Sequence, residues 1–419
     1  MHIGIFTYGT RGDVEPYISL VLAILSKGHT VLLAAPENFQ EYIEGYGIEF
    51  HPLHGNVEAF MNGPEGTEVM KAGNTIDLLK FFYEQLAKMK VPLRKSYIDG
   101  VSKVDYILAN QATLPIVAAL AEKQNKKMAL SYFMPPMAMT SEVPVPDLAF
   151  FNFPAYNRLT YKMIYYFYWK FVKKDTNEFR KELGLPELEE NLLMNIEKKA
   201  TLDLYSFSPL LIAQPKDWLP HHQITGFLPP PPGNNTNAAE IPKSLSVWLQ
   251  AGVKPFYMGF GSNAVGDPAK ICTIIEDILS STQDRILFVT GWAIYPTIIP
   301  HPNLYVIKSI NHDKIFPFCK AGIYHGGAGT MARLLRHNLP LIVISFYTDQ
   351  PTWGKIIEGK KLGVHIPYKK VNSQNLISAI NKVQVQDIVD NVREFGKKLR
   401  EENGIEKLLG YLIQFFQAK

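Results

Sequence analysis

Cysteine is nearly absent: Cys272 and Cys319 are the only two in 419 residues, too few for a disulfide framework or a four-thiolate zinc site. A chain this long can bury a core without either, and a reducing compartment is the expected setting. Charge of one sign is also scarce. Lysine plus arginine exceeds aspartate plus glutamate by 43 − 39 = 4, too weak a surplus for a dedicated nucleic-acid binder, so any basic patch is local. No apolar run approaches the ~18 residues of a spanning helix, and residues 1–9 pass directly into a polar turn. Neither a transmembrane segment nor a secretion signal is therefore expected, and the expected location is the cytoplasm.

Several catalytic signatures are missing too. The chain holds no G-x-x-x-x-G-K-[ST], no H-E-x-x-H and no G-x-S-x-G, which removes P-loop nucleotidase, metalloprotease and esterase readings. Its first turn is Gly9-Thr10-Arg11-Gly12, not G-x-G-x-x-G, and its second strand ends Ala34-Ala35-Pro36 without an acidic residue, so NAD binding is disfavoured. What is present is ordinary: 47% apolar and 20% charged residues exclude extensive disorder and collagen-like repeats, and the length suggests two or three domains.

The first residues read as strand 3–8, glycine turn 9–13, helix 16–27 and strand 30–35. Tyr17, Leu20, Val21, Ile24 and Leu25 fall on one helical face. Similar alternation continues through 106–109, 117–122 and 128–132, as in a parallel sheet wrapped by helices. Four prolines, Pro229 to Pro232, with Gly-Asn-Asn-Thr-Asn after them, make a linker over 229–240. Beyond it the pattern restarts with strand 255–259, helix 269–280 and strands 285–290, 304–307 and 322–324. The expectation is α/β, with a first domain over 1–228 and a second over 241–399. A last apolar-periodic helix, 404–417, has a partner that periodicity does not reveal; the tail 400–419 is expected to rejoin the first domain.

The sharpest local signal is Tyr324-His325-Gly326-Gly327-Ala328-Gly329-Thr330, between an apolar strand and a helix over 331–337. Three glycines in four positions let a backbone approach a ligand, and a helix start supplies free N–H groups and a positive dipole end, so a diphosphate fits there. Thr330 and His325 can add donors that disperse charge on a departing phosphate. A tight turn with no ligand is the plainer alternative. Asp13 stands at the end of the first strand, where open α/β sheets put ligands, and can take a proton from a hydroxyl; equally, a residue three before Pro16 can simply cap a helix. Asp349-Gln350, before Pro351, offers acceptors and donors suited to vicinal sugar hydroxyls, or again a helix cap. Gly259-Phe260-Gly261-Ser262-Asn263 can bring Ser262 to a phosphate.

Together these residues resemble a family 1 glycosyltransferase of the GT-B fold, in the branch containing sterol glucosyltransferases and antibiotic glycosyltransferases. The matching segments are 9–16 (Gly-Thr-Arg-Gly-Asp-Val-Glu-Pro), 259–262, Gly291-Trp292, Asn311-His312-Asp313 with Phe316-Pro317, 325–330, and Asp349-Gln350-Pro351 with Trp353. They keep the expected order over nearly the whole chain. The resemblance implies two Rossmann-like, doubly wound domains facing across a cleft, the first binding the acceptor and the second the donor. It implies inverting, metal-independent transfer from a nucleotide-diphosphate sugar, expected to be UDP-glucose, used as co-substrate with no cofactor. Asp13 would be the general base; His325 and the amides of Gly327, Ala328, Gly329 and Thr330 would hold the diphosphate, with Ser262 assisting; Asp349 and Gln350 would hold the sugar. Trp292 and the backbone around Ile310 are the nucleobase candidates, and Tyr8, Phe133 and Met134 the acceptor candidates. Three departures stand out: an aspartate replaces the histidine base common in the broader family, Arg333 stands where many plant-type members carry a ribose-binding glutamate, and Tyr324 precedes the motif histidine where many sterol-type members have another histidine.

The expected acceptor is a hydrophobic hydroxylated molecule, sterol, phenolic, terpenoid or macrolide-like. Alternatives are a GT-B epimerase acting on the nucleotide sugar without an acceptor, and a catalytically silent sugar-nucleotide-binding partner protein. Residues 150–174 are dense in aromatics; Tyr161, Ile164, Tyr165, Tyr168, Phe171 and Val172 form a helical stripe, and Arg158, Lys162, Lys170, Lys173 and Lys174 add positive charge. The stripe either packs on the first-domain sheet or belongs to a segment that walls the acceptor entrance and touches anionic membrane.

Overall fold

The computed structural model describes residues 1–72, 75–135, 138–231, 240–262, 265–296 and 298–418. They form two compact units: Met1–Asn56, Met89–Pro231 and Asn403–Lys419 make the first, Val57–Lys88 and Pro232–Glu402 the second. Most of the proline-rich linker, residues 232–239, lies outside the described residues, as does Asn263. Residues 57–88, three short helices that follow the third strand of the first unit, belong by their contacts to the second unit.

The first unit holds seven strands: β1 (His2–Phe6), β2 (Thr30–Pro36), β3 (Glu49–Leu53), β4 (Tyr106–Ala109), β5 (Met128–Tyr132), β6 (Asp203–Tyr205) and β7 (His222–Ile224). Their order is β3-β2-β1-β4-β5-β6-β7, every pairing parallel. Parallel strands joined by helices are covered on both faces, which is why β1 and β2 are apolar runs and not alternating ones: Ile3, Ile5, Phe6, Val31, Leu32 and Leu33 are all buried. The second unit repeats the plan with β8 (Phe256–Gly259), β9 (Ile286–Val289), β10 (Leu304–Ile307), β11 (Ala321–Tyr324), β12 (Leu341–Ser345) and β13 (Gly363–Pro367), in the parallel order β10-β9-β8-β11-β12-β13. The strand order reverses once in each sheet, between β1 and β4 and between β8 and β11. Loops leaving the carboxyl ends of strands at such a reversal diverge to opposite faces and leave a crevice between them.

Two helices start earlier than the sequence pattern suggests. The first runs Arg11–Ser26 and carries Pro16 inside it; the glycine-rich one runs Ala328–Arg336, with Gly327 as N-cap. Both apolar patterns begin only where the helix meets the sheet, so periodicity misses the first turn. The C-terminal helix Gly404–Gln417 packs on the first unit beside Arg11–Ser26. Phe416 stacks on Tyr106 of β4 with ring centroids 4.8 Å apart, and Lys127 Nζ donates to the Phe415 carbonyl at 3.4 Å.

The long helix Pro154–Glu182 decides what the aromatic stripe does. Tyr161, Tyr165 and Val172 are buried, Ile164 and Tyr168 half-buried and Phe171 exposed, so most of the stripe is a packing face. A different apolar set faces outward: Leu159, Met163, Tyr166 and Phe167, preceded by exposed Phe150, Phe151 and Phe153. Among the described residues no helix is long and apolar enough to cross a membrane.

Docking of the terminal helix through Phe416 has a measurable consequence. Phe416→Ala removes a ring that is 2% exposed and should destabilise the first unit by ~3–5 kcal/mol, read as an earlier urea transition. An unchanged transition would mean that the helix does not contribute to that unit's core.

Candidate active site

In the first unit the residues at the strand-order reversal are tied together by the backbone of the first turn. Thr10 caps the Arg11–Ser26 helix, and its N–H donates to Asp13 Oδ2 at 2.8 Å while its hydroxyl lies 3.3 Å from the same oxygen. This is a capping box with aspartate in the third position, a Thr-x-x-Asp pattern that was open to view in the sequence. Gly9 is needed beneath it, since a Cβ there would sit 2.2 Å from Asp13 Oδ2 and its φ is +150°. From the end of β4, Asn110 Nδ2 donates to Thr7 Oγ1 (2.9 Å), and Thr7 Oγ1 donates to the Asp13 carbonyl (2.8 Å). Thr7 and Asn110, which the sequence reading did not single out, thus fix the turn that presents Asp13. Tyr8 is buried, its hydroxyl donating to the His54 carbonyl at 3.1 Å. Phe133 and Met134, just past β5, are half-buried; Phe133 packs edge-on against Tyr17 with centroids 5.0 Å apart.

In the second unit the loops after β8, β9 and β11 converge. His325 follows β11, and its ring lies where neighbouring side chains are missing: a Cβ on Gly327 would come 2.4 Å from Nε2, and one on Gly261 would come 3.3 Å from Cε1. Trp292 N donates to the Gly261 carbonyl at 3.1 Å, and a Cβ on Gly291 would meet that oxygen at 2.0 Å. Ser262, half-buried, extends the same loop. Burial lowers the His325 pKa from 6.5 to about 4, and Nδ1 is enclosed with no hydrogen-bond partner among the described residues. The imidazole is therefore neutral at physiological pH and can act as a dipolar donor or acceptor, not as a cation.

The helix beyond it opens upward. Its first backbone bond is from Met331 N to the Gly327 carbonyl at 3.0 Å, so the amides of Ala328, Gly329 and Thr330 precede the helical ladder. A Cβ on exposed Gly329 would meet nothing within 4 Å. Open space, orphan amides and the positive dipole end coincide, as an anion requires. Asp349 N-caps the helix Gln350–Gly359; its Oδ2 accepts from Trp353 Nε1 (2.8 Å) and its Oδ1 from Thr348 Oγ1 (3.0 Å). Gln350 is buried, with Oε1 accepting from Phe346 N at 2.9 Å and its backbone pressed close to Gly326. Thr75, from the 57–88 excursion, steadies this loop: its hydroxyl accepts from Thr348 N at 3.1 Å. No local pattern announces that contact. Arg333 turns toward the matched 311–313 segment, Nη1 lying 3.4 Å from His312 Nδ1 and Nε 3.9 Å from Asp313 Oδ2. Ile310 is half-buried just before that segment.

Comparison with known proteins bears on the fold. The glycosyltransferase family 28 N-terminal domain matches residues 3–140. A sterol 3-beta-glucosyltransferase of Arabidopsis thaliana is 30% identical over 423 residues, covering 97% of this chain and 64% of the plant protein. The structure of the glycotransferase of kitacinnamycin is similar over 99% of both chains, with a TM-score of 0.71 at 15% identity. A glycosyltransferase of Streptomyces sp. SF2575 in complex with thymidine diphosphate is similar over 99% of both chains, with a TM-score of 0.59 at 16% identity. The likeness to these solved structures gives the chain the GT-B fold. The chain spans less than two thirds of the plant protein's length, 64%, so that protein's glucosyl transfer to sterols is a proposal here.

Burial of a neutral His325 sets a pH dependence. The unfolded ring titrates near 6.5 and the folded ring near 4, so as pH falls the unfolded chain takes up the proton first. This group's contribution to stability is complete above 6.5 and drains away as pH falls toward 4. Calorimetric melting from pH 7.5 to 4.5 should show the wild type losing stability more steeply than His325→Gln. Parallel curves would mean an imidazole open to solvent.

Proposed function

We propose that this chain transfers glucose from UDP-glucose to a hydroxyl of a hydrophobic acceptor, a sterol, phenol, terpenoid or macrolide-like molecule, with inversion and without a catalytic metal. The observation that carries this reading is the convergence of the loops after β8, β9 and β11 on a neutral imidazole beside an open helix start. The sterol glucosyltransferase relatives and the thymidine diphosphate held by a structural neighbour support a nucleotide-sugar donor.

In this mechanism the second unit binds the donor. Amides of Gly327 to Thr330, with His325 and Ser262, take the diphosphate and stabilise its growing charge as the glycosidic bond breaks, doing with dipoles what a cation does elsewhere. Asp349 accepts from sugar hydroxyls, and the Gln350 amide donates. Trp292 and the backbone near Ile310 flank the nucleobase. The first unit binds the acceptor, with Tyr8, Phe133 and Met134 as the contacts. Asp13 takes the proton as the acceptor oxygen attacks the anomeric carbon opposite the leaving diphosphate. Capping and catalysis are compatible, because the bonds to Oδ2 hold the carboxylate in one orientation.

Asp13→Asn separates the two roles. Its side-chain oxygen can still accept from the Thr10 amide but cannot take a proton. The variant should melt like the wild type and bind UDP as tightly, while turnover falls ~10²–10⁴-fold. Normal turnover would leave Asp13 as a helix cap and overturn the mechanism.

A peripheral membrane contact belongs to the same proposal. Exposed Phe150, Phe151, Phe153, Leu159, Met163, Tyr166 and Phe167 lie in one segment with exposed Arg158, Lys162, Lys170, Lys173 and Lys174. Aromatic groups beside lysines suit an anionic bilayer surface, where each basic residue contributes ~1 kcal/mol. Replacing Lys170, Lys173 and Lys174 by Glu should abolish co-sedimentation with phosphatidylserine-containing liposomes and spare transfer to a water-soluble phenol. Wild-type protein that never sediments with such liposomes at low salt removes the membrane from the account.

A further inference from the structure

A second cluster of titratable groups lies at the opposite end of the first sheet. Asp203 opens β6 and His222 opens β7, and the two are paired in register. Asp13 follows the carboxyl end of β1, and all seven strands run parallel, so this cluster is remote from the proposed transfer chemistry. His221 immediately precedes the strand. Adjacent strand residues point to opposite faces, but a turn closed by His222 N donating to the Leu219 carbonyl (3.0 Å) holds the two rings together, with centroids 4.1 Å apart. Glu197, on the helix Leu192–Lys198, meets both: His222 Nε2 lies 2.9 Å from its Oε2 and His221 Nε2 3.5 Å from its Oε1.

We propose that Glu197, His221 and His222 bind a divalent transition-metal ion, zinc by ligand preference, as a structural staple between the Leu192–Lys198 helix and β7. One ligand atom from each residue lies within 4.8 Å of the others. Ligands held ~2.0–2.2 Å from a tetrahedral zinc stand about 3.3–3.6 Å apart, so modest side-chain adjustment completes the set. Nitrogen and carboxylate oxygen are the donors zinc takes in two-histidine, one-glutamate sites, with water in the remaining position.

Two further features point to a ligand. Asp203 Oδ2 lies 3.0 Å from His222 Nδ1, outside hydrogen-bonding geometry, so a small ring rotation gives the carboxylate–histidine arrangement that fixes a metal-binding tautomer with Nε2 turned to the ion. Asp203 Oδ1 and His221 Nε2 are buried and make no hydrogen bond among the described residues, and the Asp203 residue is only 7% exposed. A small cavity walled by Tyr132, Tyr165 and Tyr205 adjoins Glu197 and Asp203. The competing arrangement, with no metal, is a protonated His222 held between two carboxylates.

The test uses tag-free full-length protein, stripped with chelator and dialysed, with ZnCl₂ as the probe. Calorimetric titration should give one zinc per chain, and zinc should raise the melting temperature of the wild type, as any ligand bound only by the folded state does. Asp203→Asn should weaken binding by ~10–100-fold, and Glu197→Gln and His221→Gln more strongly. His221→Gln alters a turn residue at the edge of the cluster and carries the test if a buried variant fails to fold, with circular dichroism confirming its structure. Zinc that neither binds nor raises the melting temperature overturns the proposal and leaves the protonated histidine. Zinc bound equally well by wild type and His221→Gln also overturns it, because the ion is then held elsewhere.

Discussion

The second unit of this protein is organised around one packing constraint: the His325 ring occupies space that side chains on Gly327 and Gly261 would fill. Everything nearby follows from that. The glycines permit the imidazole to lie against the backbone, burial keeps it neutral, and a helix then begins beyond it with its first amides unspent. The neighbouring turn obeys the same rule, since Gly291 faces the Gly261 carbonyl too closely for any Cβ. A site of this kind binds an anion with dipoles and requires no positive side chain, in keeping with the histidine's lowered pKa.

The fold makes that packing available twice. In each sheet a single reversal of strand order parts two loops at the carboxyl ends of adjacent strands, β1 with β4 and β8 with β11. One reversal presents a carboxylate, Asp13, braced through Thr10, Thr7 and Asn110; the other presents His325 and the open helix start. In the proposed mechanism these serve as the base and the anion site that group transfer from a diphosphate needs. The cluster at Glu197 sits at the other ends of the strands, where a metal would bear on stability and not on the reaction.

Sequence and structure part company for physical reasons. The two doubly wound units were legible because buried parallel strands are apolar runs and their helices have one apolar face. The His325–Thr330 turn was legible because three glycines around a helix start have few uses. Helix starts were less visible: Arg11–Thr10 and Ala328–Gly327 precede the apolar pattern, although Thr10-x-x-Asp13 announces a capping box. The aromatic stripe on Pro154–Glu182 shows the limit of periodicity, which finds a face but does not say what covers it; Tyr161 and Tyr165 proved to be core while Tyr166 and Phe167 stayed outside. Contacts set by tertiary structure, such as Thr75 with Thr348 or His221 with Glu197, left no local trace.

The central claim, single displacement of a sugar from a nucleotide diphosphate, is tested most directly by the anomeric configuration of the product. Incubation with UDP-glucose and a panel of sterols, phenols and macrolides, followed by mass spectrometry and proton NMR of any conjugate, reads it in one experiment. The account predicts a β-glucoside from the α-linked donor, with UDP released in equal amount. An α-glucoside, or an altered nucleotide sugar formed with no acceptor present, would contradict it.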